Sequence, residues 1–170
     1  ANESTEMRVV VVGTGRVGLP LALSFAECGV EVIGVDVDPS IRHAVNEERR
    51  MPFYEPGFES VLKEGKVRIV EQLEEAGRAD FFVVTVGTPL LPHIETDLSA
   101  VTRVVSQIGR LASPGQCIIM RSTTAPHTTE YVRTKLERAS GLEVGKDLFL
   151  ACCPERVLEG KARQELKSLP

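Results

Sequence analysis

The residues best equipped for chemistry come early in the chain: Gly13-Thr14-Gly15-Arg16-Val17-Gly18 and, after an apolar stretch, Asp36. Glycines at this spacing suit a phosphate-bearing ligand. Gly13 permits a tight turn, Gly15 lets a pyrophosphate approach the backbone, and Gly18 lets a helix pack closely on a strand. Amides at the helix start then face the phosphates, where the helix dipole favours negative charge. Asp36 is placed to accept hydrogen bonds from an adenosine ribose. A 2′-phosphate there would meet a carboxylate, so NAD is favoured over NADP. Glycines alone are weak evidence, since a glycine-rich turn without a ligand can carry the same pattern. The surrounding order favours the dinucleotide. Val9-Val10-Val11-Val12 reads as a strand buried on both faces, and Val32-Ile33-Gly34-Val35 leads into Asp36 as a second.

These residues need a scaffold, and the rest of the chain supplies one by alternating strand and helix, as a doubly wound α/β sheet requires. The first helix is expected over about 16–28, with Val17, Leu21 and Phe25 facing inward and Gly29 as its stop. Asp38 and Pro39 open the second as N-cap and first helical residue, and it runs to about Glu47. Proline and glycine make 49–57 a loop, and a short helix over 58–63 follows. Strands are expected over 67–70, 80–86, 116–121 and 147–152, with helices over 71–77, 98–111 and 126–139. In the 98–111 helix, Leu98, Val101, Val105 and Ile108 point inward. The result is a Rossmann fold, a mostly parallel sheet of about six strands in the order 3-2-1-4-5-6. Ligands on such sheets lie beyond the carboxyl ends of the strands, so the loops after Val12, Asp36, Val86, Arg121 and Cys152 should line one crevice.

Composition narrows the classes. The 170 residues suffice for one well-buried domain, read here as 7–170 behind a flexible N-terminus of residues 1–6. No apolar run approaches the ~18 residues of a membrane span, and the polar, acidic start lacks the features of a signal peptide. A net charge of −4 without a basic cluster argues against a nucleic-acid partner. Cys28, Cys117, Cys152 and Cys153 show no CxxC spacing. Cys28 and Cys117 sit in apolar segments and read as small buried thiols. Reduced cysteines, a cytoplasmic location and no metal site are expected. His43, His93 and His127 are scattered and read as surface or structural residues.

Several loops expected at the carboxyl edge carry distinctive words: Tyr54-Glu55-Pro56-Gly57, Val86-Gly87-Thr88-Pro89, Arg121-Ser122-Thr123-Thr124 and Cys153-Pro154-Glu155-Arg156-Val157-Leu158-Glu159-Gly160. Together with Gly13 to Pro20, they resemble the N-terminal domain of the UDP-glucose/GDP-mannose 6-dehydrogenase family. The Cys-Pro-Glu-Arg form, with the later Leu-Pro, looks most like its UDP-N-acetyl-D-mannosamine dehydrogenase branch. The resemblance covers nearly the whole chain. It implies a cytoplasmic enzyme that oxidises the C6 alcohol of a UDP-sugar to a carboxylate. Two NAD⁺ would be consumed, through an aldehyde and a covalent thiohemiacetal and thioester. It further implies that Gly13, Gly15, Arg16, Val17, Gly18 and Asp36 hold NAD, with Thr88 and Thr123 near its nicotinamide half. Glu155 matches a carboxylate that contacts the cofactor or activates water, and Glu159 a second acid. A carboxylate and a threonine hydroxyl suit the proton acceptor and held water such an oxidation needs.

The departures matter as well. The family's nucleophilic cysteine, central helix and C-terminal nucleotide-sugar domain have no counterpart in these 170 residues, so the chain alone is expected to be catalytically incomplete. Family dimers form mainly through the central helix, and a full-length homodimer is implied. Cys152 and Cys153 match no covalent role. Two readings stand for Arg16, approach to a pyrophosphate or exposure to solvent. An adenosine contact from Arg42 is not expected, because the family's basic residue falls at the position of Ile41. Glu155 and Glu159 stand four apart and share a face if their segment is helical. Thr123, after a strand, would cap the following helix. The rivals are a stand-alone NAD-binding module without chemistry of its own, or another Rossmann enzyme such as a 3-hydroxyacid or 6-phosphogluconate dehydrogenase.

Overall fold

A computed structural model describes residues 6–87, 97–122 and 127–168. Strands β1 (Arg8–Val12), β2 (Glu31–Val35), β3 (Arg68–Val70), β4 (Phe81–Val84), β5 (Cys117–Met120) and β6 (Phe149–Cys152) form one sheet. Its order is β3-β2-β1-β4-β5-β6, and every pairing is parallel. The chain reverses direction across the sheet between β1 and β4, where Val12 is in register with both Val35 and Val84. That reversal opens a crevice at the carboxyl edge.

The valine run of β1 feeds two cores at once. Val10 and Val12 join Phe82, Val84, Ile118 and Met120 beneath α4 (Ser99–Leu111) and α5 (Thr128–Ser140). Val9 and Val11 pack on the opposite face with Leu19, Leu23 and Phe58. Helix α4 buries Val101, Val105 and Ile108 as its periodicity requires, while Leu98 stands half-buried at its N-cap position. Helix α2 (Pro39–Asn46) starts as read: the Asp38 carboxylate accepts from the Ser40 amide, with Pro39 in the first turn. Hydrogen bonds from the Ser40 hydroxyl and then the Ser40 amide hold the Asp38 carboxyl below its ordinary pKa.

Some expectations need correction. Helix α1 (Gly18–Glu27) starts later than expected and buries Leu19, Leu21, Ala22, Leu23 and Ala26, while Phe25 stays half-buried. It lies between the sheet and the helices α3 (Glu59–Glu64) and α6 (Ala162–Ser168), so a single inward stripe does not describe it. The 71–77 helix is reduced to one 3-10 turn, Leu73–Ala76, ended by Gly77 at positive φ. Helix α5 begins at Thr128, with His127 in the left-handed region at the N-cap position; Thr123, expected as its cap, lies outside the described residues. Cys28 is exposed and Cys117 half-buried, with burial pushing the Cys117 thiol upward. Residues 153–158 are not helical, so Glu155 and Glu159 share no helix face. Pro154 and the Glu155 carboxylate explain why. The carboxylate turns back to accept from the amides of Arg156 and Val157, a local alternative to helix. Among the described residues no helix is long and apolar enough to cross a membrane.

Candidate functional site

The glycine-rich turn is built against the start of β1's neighbouring loops. Gly13 sits at φ 91, and its amide donates to the Val35 carbonyl at 2.8 Å. The Thr85 hydroxyl, just beyond β4, donates to the Gly13 carbonyl. Gly18 packs directly on this unit: a Cβ there would stand 1.8 Å from the Gly13 oxygen and 2.4 Å from Thr85 Oγ1. A Cβ on Gly15 would meet nothing within 4 Å. The backbone is therefore closed on one side of the turn and open on the other. No side chain caps α1; in its first turn the Leu19 amide donates back to the Gly15 carbonyl at 3.0 Å and Pro20 carries no amide hydrogen. An open backbone face at Gly15 and the positive end of α1 together fit the diphosphate of a dinucleotide.

Asp36 follows β2 and is firmly held. Its Oδ2 accepts from the Thr14 amide at 2.7 Å and the Thr14 hydroxyl at 3.0 Å, and its Oδ1 accepts from the Asp38 amide at 2.9 Å. Thr14 is fully buried. A carboxylate offers about four lone-pair positions, so one on Oδ1 remains for a further donor. Beside it, the Val37 side chain is 77% exposed, an apolar surface on which a flat ring could rest.

The loop after β6 faces the glycine turn. Glu155 pairs with Arg121 at 3.1 Å, and both side chains are largely buried. Arg121 also donates to the Cys153 carbonyl and lies 3.2 Å from its sulfur. Glu159 forms an ion pair with Arg16, whose guanidinium stands 5.4 Å above the centre of the Phe53 ring. Neither reading of Arg16 included these partners. Arg16, Val17, Glu155 and Glu159 line one cavity of about 180 Å³. The structure thus brings these four together, with Asp36 at the far end of the same edge. Thr88 and Thr123 lie outside the described residues. A wider opening, about 680 Å³, sits at the amino edge among Arg78, Asp80 and Gln116, away from these groups.

Residues 7–170 match the UDP-glucose/GDP-mannose dehydrogenase family, NAD binding domain. The chain belongs to this family. It is 34% identical over 164 residues to the UDP-N-acetyl-D-mannosamine dehydrogenase of Pyrococcus horikoshii, covering 94% of this chain and 39% of that protein. A solved structure of UDP-D-ManNAc dehydrogenase from Pyrococcus horikoshii superposes with a TM-score of 0.88. A GDP-mannose dehydrogenase from Pseudomonas aeruginosa, solved as a ternary complex, gives 0.90 at 30% identity, covering 96% of this chain and 39% of that one. The UDP-N-acetyl-D-glucosamine 6-dehydrogenase of Pseudomonas aeruginosa is 30% identical over 96% of this chain and 39% of its own length. The chain therefore spans about two fifths of the relatives it matches. It is an NAD-binding domain of the nucleotide-sugar dehydrogenases, and NAD is its cofactor. Membership in this family replaces the alternative of a 3-hydroxyacid or 6-phosphogluconate dehydrogenase.

Three contributors to this dehydrogenase site escaped the sequence reading. Arg121 holds Glu155, a partnership that its place in the Arg121-Ser122-Thr123-Thr124 word did not reveal. Thr85 braces the glycine turn, with no motif to mark it. Glu55, read only as part of the 49–57 loop and its Tyr54-Glu55-Pro56-Gly57 word, is buried and accepts from the amides of Gly160 at 2.7 Å and Ala162 at 2.8 Å. It thereby fixes the end of the Cys-Pro-Glu-Arg loop and the start of α6.

Proposed function

We propose that residues 7–170 are the NAD-binding Rossmann domain of a cytoplasmic UDP-N-acetylhexosamine 6-dehydrogenase, behind a flexible N-terminus of residues 1–6, with UDP-N-acetylmannosamine the favoured substrate. In this reading the C6 alcohol is oxidised to a uronate with two NAD⁺, in an enzyme that works as a homodimer. Support for the sugar comes from the named mannosamine relatives, although a glucosamine enzyme also matches at 30% identity. The observation that carries the cofactor reading is Asp36, fixed by Thr14 and Asp38 beside a glycine turn whose Gly15 face is open.

NAD⁺ supplies the hydride acceptor. The chain's own residues bind, orient and handle protons. Gly13, Gly15, Val17 and Gly18 offer backbone to the diphosphate, and Arg16 adds positive charge from the same turn. Asp36 accepts from the adenosine ribose. Thr88 and Thr123 contribute hydroxyls near the nicotinamide half. Glu155 acts in the reaction by holding a water or a proton, with Thr123 as a further catalytic residue and Glu159 as a second acid. The Arg121 guanidinium, 3.1 Å from the Glu155 carboxylate, holds that side chain in place on the loop after β6.

Asp36→Ala is expected to weaken NAD⁺ binding about 10- to 100-fold in calorimetric titration, since a hydrogen bond to a charged group contributes about 1.5–3 kcal/mol. Tighter binding of NADP⁺ than NAD⁺ by the unmodified chain would sink the assignment. Incubated with UDP-N-acetylmannosamine and NAD⁺, the 170-residue chain is expected to bind cofactor without sustaining NADH production. Continuous absorbance at the NADH band checks this, and steady turnover would overturn it.

A further inference from the structure

Asp36 is not the sole charge at the adenosine end of the crevice. Strands β2 and β3 end in register, Val35 opposite Val70, and the Asp36 amide donates to the Val70 carbonyl at 2.9 Å. Glu71, the next residue, therefore leaves the sheet beside Asp36. Between them lies Arg42 of α2. Its Nη1 donates to the Asp36 carbonyl at 2.9 Å, and its Nη2 lies 3.3 Å from Glu71 Oε2. Most of the Arg42 side chain is covered, while the Glu71 carboxylate is half exposed.

The arginine poses a conflict that Asp36 does not resolve. In folds of this class, an arginine near the ribose is what accommodates a 2′-phosphate, and a guanidinium suits a phosphate better than any other side chain. Arg42 would thus favour NADP where Asp36 favours NAD. The geometry removes the conflict by occupying Arg42 at both ends, with a backbone carbonyl on one side and Glu71 on the other. A 2′-phosphate would have to draw the guanidinium from Glu71 and would then lie beside two carboxylates.

Resting on the NAD-binding reading above, we infer that Glu71 is a specificity-determining residue: by engaging Arg42 it withholds that cation from a 2′-phosphate and helps exclude NADP. Glu71 acts through Arg42 and through its own charge, without contacting NAD itself. The Arg42–Glu71 pair is largely solvated on the Glu71 side, where ion pairs are weak. Removing the carboxylate therefore releases Arg42 without disturbing the fold.

The test is calorimetric titration of the chain with NAD⁺ and NADP⁺, run on the parent, Glu71→Gln and Glu71→Gln/Arg42→Gln. Glu71→Gln is expected to tighten NADP⁺ binding about tenfold, or about 1.4 kcal/mol, while NAD⁺ affinity stays within about twofold. The double variant is expected to lose that gain, and the gain itself should shrink as salt is raised. A merely structural role would move both nucleotides together or shift the thermal unfolding midpoint, and either outcome overturns the inference. So does an NADP⁺ affinity that does not change while NAD⁺ binds normally, or a gain that survives loss of Arg42. Glu71→Ala provides an independent variant if glutamine packs poorly. Failure of the parent to bind NAD⁺ is a different result: it removes the cofactor reading and this inference with it.

Discussion

Gly18→Ala is expected to cost the domain about 2–3 kcal/mol and to abolish measurable NAD⁺ binding, an effect at the upper end of ordinary overpacking. Two terms oppose each other. Alanine is the better helix former by about 1 kcal/mol, which would stabilise α1. Against it stands a Cβ 1.8 Å from the Gly13 carbonyl oxygen, far inside any tolerable contact. That oxygen cannot retreat easily, because the Gly13 amide is tied to Val35 and its carbonyl is held by Thr85. The clash wins, so α1 must move off β1 and carry its amide ends away from the Gly15 face. Urea unfolding and calorimetric titration read the two effects separately. A variant with the parental unfolding midpoint and NAD⁺ affinity would show that the turn can yield.

Glu55→Ala is expected to destabilise by about 2–5 kcal/mol, because it strips one buried and one part-buried amide of their acceptor, at about 1–3 kcal/mol for a fully buried group. Those amides belong to Gly160 and Ala162. The largely covered Glu27 carboxylate also pairs with Arg163 and Lys167, whose side chains are about half exposed, so α6 keeps a second attachment at its exposed side. Hydrogen exchange should accelerate through residues 153–168 before the sheet is affected. Glu55→Gln keeps one acceptor oxygen and should fall between parent and alanine. Unchanged exchange in that segment would show that Glu55 is not its anchor.

What could be read from the sequence follows the range of the interactions. Val9 to Val12 announce a buried parallel strand because burial on both faces leaves no alternation. Asp38-Pro39 announces a helix start because cap and helix are adjacent. The strand order follows because each βαβ crossover constrains the next. Glu55 gave no such signal, since its partners lie 105 and 107 residues away. Helix α6 was missed for a related reason: it is short, buries Ala162 alone, and is held by contacts from distant parts of the chain. The expected helix through Glu155 and Glu159 failed on Pro154 and on a side chain that bonds its own backbone. Arg16 shows a subtler limit. Its position in the glycine turn was evident, but its partners Glu159 and Phe53 are set by loops whose paths no local pattern dictates.

The anchoring of α6 bears on the order in which the molecule assembles. Its ties to Glu55 and Glu27 close loops of 105, 107 and 136 residues, and such closures are rewarded only after the intervening chain is compact. Glu27 and Glu55 leave the ribosome long before Arg163 and Ala162 do, and they wait in water as solvated carboxylates. The sheet and the glycine turn can form without α6; the wall carrying Glu155 and Glu159 cannot. Refolding should therefore show two stages, with strand formation preceding protection of the Gly160 and Ala162 amides. Cofactor affinity in full is a late acquisition of the folding chain.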